Sequence, residues 1–190
     1  MDNLSAANAS APMQSVYDLG SMSREDVVKL FDKLGVFQAA LLMLSYMYNA
    51  QSSLSISMYA DMNESSKQST MAQKMANLVD AKIADVQSSS DKNAKAKLPQ
   101  EVIDFISDPR NGVTVSGLSS DVNINSDMGA GDLQTVKAAI SAKANNLTTT
   151  VNNSQLSIQQ MSNTLNLLTS ARSDMQSLQY RTISAISIGK

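Results

Sequence analysis

Few residues in this chain combine a reactive type with a useful spacing. Asp104 and Asp108 stand four apart near the end of a short helical stretch. At that interval two carboxylates share one helix face, where they could hold a divalent cation together. Solvated surface charges are the simpler reading of the same pair. Lys92, Lys95 and Lys97 form a weak basic cluster, but no aromatic side chains interleave them as a nucleic-acid surface would need. General acid–base catalysis draws on a tuned His or carboxylate. The chain has no His, and its only glutamates are Glu25, Glu64 and Glu101. The sequence holds no Gly-rich phosphate loop, nucleophile elbow or metal-ligand cluster. Asn146-Leu147-Thr148 matches a glycosylation sequon, a pattern that Ser- and Thr-rich chains generate by chance. The expectation is a chain that is not an enzyme and has no catalytic, cofactor-binding or metal-binding residues.

What remains is architecture. The chain has 190 residues, room for one domain or for one domain plus extended helices. Charged residues make up 17%, below the roughly 25% of ordinary globular proteins, and Ser, Thr, Asn and Gln fill the gap. A net charge of -2 creates no strong field for nucleic acid or membrane. With no Cys there is neither a disulfide framework nor a thiolate metal site. Such a chain passes between reducing and oxidising compartments unaltered. Residues 1–22 lack the basic and apolar regions of a Sec signal peptide and read as a polar, disordered leader.

Residues 23–87 read as an N-terminal helical region. Ser23 followed by Asp26 is a capping-box-like start. Leu30, Leu34, Phe37, Leu41, Leu44 and Tyr48 then alternate steps of four and three, a heptad seam. Val36, Ala39, Ala40, Leu42, Met43, Tyr46 and Met47 fill the other angles, so the helix is apolar all round, and no charge occurs from Leu34 to Ala60. The dense apolar stretch covers about fifteen residues, short of the roughly twenty a membrane span needs. Burial by neighbouring helices, some from other chains, is the expected fate of these side chains. Further on, Ala72, Met75, Val79, Ile83 and Val86 mark a modest core-facing stripe.

Residues 88–131 read as a small, exposed, variable subdomain. A linker runs to Pro99, residues 101–107 form a short helix, and residues 108–112 form a turn. Short strands are expected at 113–116 and near 122–125. The long C-terminal helix occupies residues 132–190, with Asp132 as its cap. Residues 132–188 contain neither Gly nor Pro. An unbroken helix over that run would be roughly 85 Å long. A compact globule of this chain length is only about 40 Å across. Such a helix must lie along other long helices, which marks an assembly subunit. Its main stripe is Leu147, Val151, Ile158, Met161, Leu165, Leu168, Met175, Ile183 and Ile186, close to a 3.6-residue period. A second row, Leu156, Leu167 and Leu178, recurs every eleven residues on another face. Neighbours on two sides are implied.

Several stretches carry a more specific likeness. YDLGSM (17–22), KLGVFQAALLM (33–43), QKMANLVDAKIADVQSSSDKNAKA (73–96), GDLQTVKAAISAKANNLTTTVNNSQL (131–156) and QQMSNTLNLLTSARSDMQSLQYRTIS (159–184) resemble the EspA family. Those are the filament-forming secreted proteins of type III secretion systems in attaching-and-effacing enteric bacteria. The resemblance implies a mainly α subunit: a long, coiled-coil-like two-helix hairpin whose helices pack in a filament core while a small irregular, short-stranded subdomain faces outward. It implies a hollow surface filament that extends the secretion needle and conducts secreted proteins to the host cell. Implied partners are further copies of the chain, a small helical cytosolic chaperone before export, and the needle tip and translocator proteins. The leader would then be an uncleaved export signal.

The combined reading is a secreted, self-polymerising filament subunit, with a membrane-inserting translocator and a soluble coiled-coil adaptor as the rivals. The first-helix seam, the C-terminal stripe and Leu178 form the expected assembly and chaperone interface. A conduit for unfolded chains needs a wettable wall, and Asn152, Gln159, Asn163, Ser170 and Ser177 share one uncharged face of the C-terminal helix. They are the expected lumen-facing residues, the alternative being that the same face meets other helices through amide and hydroxyl hydrogen bonds. Because residues 34–48 present apolar side chains at every angle, each stabilised by roughly 1.5–3 kcal/mol on burial, the chain expressed without partners should aggregate or polymerise. Sedimentation or light scattering that finds a monodisperse monomer at high concentration would contradict this.

Overall fold

The computed structural model describes residues 22–91 and 93–188; the expected leader up to residue 21 lies outside the described residues. The element order is α1 (Arg24–Lys33), α2 (Val36–Ser88), α3 (Gln100–Ser107), a 3-10 turn (Pro109–Asn111) and α4 (Ala130–Ile188). The chain divides into two compact units, Met1–Ser57 with Ile158–Lys190, and Met58–Ser157. Helices α2 and α4 contribute to both as the two arms of a hairpin.

The first helix starts where the capping signal places it. The Asp26 backbone N–H donates to the Ser23 hydroxyl at 3.2 Å, and that hydroxyl donates to the Asp26 carboxylate at 2.7 Å. The heptad seam does not run unbroken, however. Leu34 is extended, with φ -92° and ψ 143°, and its N–H turns back to the Phe31 carbonyl. Gly35 follows, and α2 begins at Val36. Interior glycine costs a helix about 1 kcal/mol relative to alanine. The apolar spacing across 30–37 hid that break.

The unit Met58–Ser157 holds a packed core. Ala72, Met75, Ala76, Val79 and Ile83 line one face of α2, and Leu133, Val136, Ile140 and Ala144 line the facing stripe of α4. The small residues Ala72, Ala76 and Ala144 let the two helices approach closely. The segment between the arms closes the core: Leu98, Val102, Ile103, Phe105 and Met128 are all buried in it. α3 forms because Pro99 stops the preceding chain and leaves its carbonyl to the Val102 and Ile103 N–H groups. Its apolar side then faces inward. Ser69, only 5% exposed, is satisfied by the Ala144 carbonyl at 3.1 Å and the Thr148 hydroxyl at 2.9 Å. Exposed ion pairs join Lys74 to Glu101 and Lys137 to Asp80; pairs of that kind contribute about 1 kcal/mol at most.

Two sequence expectations fail here. The strands at 113–116 and 122–125 are absent. Among the described residues the β pairing is a single isolated bridge, in which Ala96 and Met128 exchange N–H···O bonds of 2.9 Å. The alternation in VTVS is real: Val113 and Val115 pack on the core while Thr114 is exposed. No second strand lies alongside to complete a ladder. Asp132 is not the cap of α4, which starts at Ala130. Instead its carboxylate accepts from the Ser119 N–H at 3.0 Å and hydroxyl at 2.9 Å, holding the loop down on the helix.

This core carries a direct prediction. Leu133 is fully buried among α2, α3 and α4 side chains. Leu133→Ala should lower stability by about 2–5 kcal/mol, the usual cost of a large-to-small change with incomplete collapse. Urea unfolding at concentrations too low for association measures it; a loss below 1 kcal/mol would mean that the site relaxes freely.

Candidate assembly interface

The carboxylates that could have held a cation are already occupied. The Arg110 guanidinium meets Asp108 in a fork, with distances of 2.6 to 3.1 Å, and the Arg110 N–H adds a 3.0 Å bond. The side-chain bond to Arg110 is the main reason why the Asp108 carboxyl is held below its usual range. Asp104 accepts from the Gln100 amide at 2.8 Å. Among the described residues no group of acidic side chains could hold a metal ion. The sequon threonine, Thr148, sits inside α4 with its hydroxyl bonded to the Ala144 carbonyl at 2.9 Å.

The surface chemistry concentrates instead in the unit formed by residues 22–57 and 158–188. Here only the ten-residue α1 joins α2 and α4, and much of their apolar surface stays exposed. Leu30, Leu42 and Leu168 are buried. Leu34, Phe37, Leu41 and Leu44 on one side, and Ile158, Met161, Leu165 and Met175 on the other, are half-buried. Leu44 and Tyr48 share a cleft of about 210 Å³ with Leu168, Thr169 and Arg172. Much of the expected assembly seam is thus the internal seam of the hairpin. Leu147 and Val151, in the other unit, are half-buried as well. Tyr48, Leu178, Ile183 and Ile186 are exposed.

The unpartnered surface lies on the opposite sides of the same helices. On α4, Leu156, Leu167 and Leu178 are 58%, 69% and 52% exposed. At 100° per residue they stand roughly 130° from the internal stripe. On α2, Val36, Met43, Met47 and Leu54 are exposed, with Val36 at 83%. With Ala40 and Ala50 between them they form a second heptad seam, steps of four and three, about 110° around from the first. Sequence reading described this helix as apolar all round and did not separate the two seams. The same 4-3 spacing, started at Val36, would have found the outer one. Asn152, Gln159, Asn163, Ser170 and Ser177 are all exposed, in a sector about 60° from the leucine row. Arg172 sits on the hairpin side beside Leu44 and Tyr48, away from that polar face. No helix among the described residues is long and apolar enough to cross a membrane.

With this geometry in place, comparison with known proteins is informative. The family model for EspA-like secreted proteins matches residues 4–184. Among solved structures, the chain is similar to the EspA filament of the enteropathogenic Escherichia coli type III secretion system, determined by cryo-EM. The two are 79% identical, over 92% of this chain and 99% of that one, with a TM-score of 0.63. No curated protein matches the chain.

The half-buried seam predicts a double effect. Leu165→Asp puts a carboxylate into the α2–α4 contact, where an unpaired charge costs several kcal/mol or stays protonated. It should lower the subunit's thermal midpoint and also abolish polymerisation. Asn163→Ala, at an exposed position, should leave the midpoint unchanged. Circular dichroism melts with electron microscopy test both; normal filaments from Leu165→Asp would overturn the assigned packing face.

Proposed function

The chain belongs to the family of EspA-like secreted proteins, and from that membership we propose that it is the subunit of a type III secretion filament. Copies of the chain polymerise outside the bacterium into a hollow tube, which conducts secreted proteins from the needle to the host cell. One observation carries the reading beyond family likeness. Large apolar side chains stand exposed on both helices of the unit formed by residues 22–57 and 158–188. Contiguous exposed patches of that kind mark association surfaces. A polymer covers them; a membrane-inserting translocator would need a longer apolar helix than the described residues contain.

On this reading the chain is structural and not an enzyme. The absence of His and Cys and the engaged oxygens of Asp104 and Asp108 support that. Before export, a small helical chaperone covers the outer seam of α2, since the cytosol would otherwise meet it bare. At the ends of the filament the partners are the needle tip and translocator proteins. Residues 1–22 serve as the export signal. Residues 88–131 face the exterior, with 23–87 and 132–190 as the arms of the polymerising hairpin. The polar sector of α4 lines the lumen, because a wall of amides and hydroxyls wets readily and holds unfolded cargo weakly.

Negative-stain electron microscopy of secreted protein tests the function: tubes are expected, and discrete small oligomers would sink it. The lumen assignment has its own test. Single cysteines at Asn163 and Ser170 should resist a bulky thiol reagent applied outside intact filaments, yet react in dissociated subunits. Rapid labelling from outside would place another face toward the channel.

A further inference from the structure

The exposed apolar surface of the unit formed by residues 22–57 and 158–188 includes two different faces. The first is the outer seam of α2, in which Ala40 and Ala50 leave gaps between Val36, Met43, Met47 and Leu54. The second is the α4 row, in which Leu167 projects from a surface of Asn, Gln, Ser and Ala, and Leu178 from one that also carries Asp174 and Arg181. One face offers holes and the other offers knobs. Their spacings agree: ten residues separate Ala40 from Ala50, a rise of about 15 Å, and eleven separate Leu167 from Leu178, about 16.5 Å. The difference is about one residue's rise. The α2 seam and the α4 row around Leu167 offer a charged partner nothing, because residues 34–60 and 144–171 contain no charged side chain; around Leu178 the charges are one of each sign, Asp174 and Arg181.

We propose that these faces are the two halves of one heterologous contact: the leucine row of α4 in one copy seats in the outer α2 seam of the next. The inference rests on the filament reading and specifies its partner surfaces. Matching a face to itself would give a two-fold contact that closes at a dimer. Matching it to a different face on the next copy leaves both outer faces free again, so the assembly grows without closing. The leucine period supports a nearly straight pairing. Eleven residues in three turns deviate slightly from the ideal helix in the right-handed sense, whereas a seven-residue repeat deviates in the left-handed sense. A row of each kind meets over only a few turns, and Leu167 and Leu178 mark such a span.

The chain has no Cys, so introduced cysteines report without background. Copies carrying Leu167→Cys are co-assembled at equal ratio with copies carrying Ala40→Cys or Ala50→Cys, then oxidised in the filament. Every disulfide-linked dimer must join two chains. A mixed 167–40 link is expected for parallel packing and a mixed 167–50 link for antiparallel packing. Like-with-like dimers alone, or no dimers in filaments that do form, would overturn the pairing and leave the filament reading standing. Wild-type protein imaged in parallel separates the two, since failure of wild type to form tubes would instead remove the function. A second measurement covers the case in which the cysteine copies do not assemble. Leu167→Asp should raise the concentration needed for polymerisation at least about a hundredfold, with an unchanged subunit melt, while Leu167→Met stays within about tenfold of wild type. Equal thresholds for all three would exclude the row from any contact.

Discussion

Two helices lying side by side touch along one line, and each can cover only about a third of the other. That constraint governs this molecule. A helix with apolar side chains on one stripe is completed by one neighbour. A helix with apolar side chains at every angle needs several. In the unit of residues 22–57 and 158–188, α2 has apolar side chains on every side but shares the unit only with α4 and the short α1. Leu42 and Leu168 are buried, and Val36, Met47 and Leu167 are left in solvent. The subunit cannot repair this by refolding, because neither helix has other surface to offer. The remaining apolar area is completed by association.

The other unit meets the same constraint differently. There the chain between the arms folds back as α3 and the loop to Met128, and its side chains fill the space that a third helix would occupy. The Ala96–Met128 bridge and the Ser119–Asp132 clamp tie that segment at two points. Tyr59, Met71 and Leu156 are the unit's exposed large apolar side chains. Val79, Ile140 and Met128 are fully buried, and the exposed surface carries ion pairs such as Lys74–Glu101. One unit thus has a closed core of its own, while in the other most large apolar side chains stay half-buried or exposed. Residues 34–60 and 144–171 are free of charge, so association there strips no ion of its water.

How much of this could be read from the sequence depended on which physical signal was strong. Long helices were legible because Gly and Pro are missing from 132–188 and because the 72–86 stripe keeps helical spacing. The start of α1 was legible because capping is a local interaction. The break at Gly35 was not, since leucine spacing on either side mimics continuity. The strands expected at 113–116 and 122–125 came from a true alternation, but a strand requires a partner, and partnership is a tertiary fact. Asp132 was assigned to capping on local grounds, whereas its carboxylate serves a loop thirteen residues away. At the assembly faces the residue types were evident and their division was not. Only the packed hairpin shows that Leu41 and Leu44 face inward while Met43 and Met47 face out.

That division bears on how a tube wall can be both cohesive and inert. Around α4, three sectors follow one another: the internal stripe that meets α2, the exposed leucine row, and the polar sector of Gln159, Asn163, Ser170 and Ser177. The leucine row lies between the hairpin contact and the polar sector on one side of the helix. A neighbour that seats on the leucines therefore shields them from any passing chain and leaves the amides and hydroxyls beside them in water. If the leucines faced the channel instead, each would offer an apolar contact to unfolded cargo at every turn of the filament. On the proposed pairing, their position beside the polar face, and not on it, would let one helix contribute to adhesion between subunits and to a wettable surface at the same time.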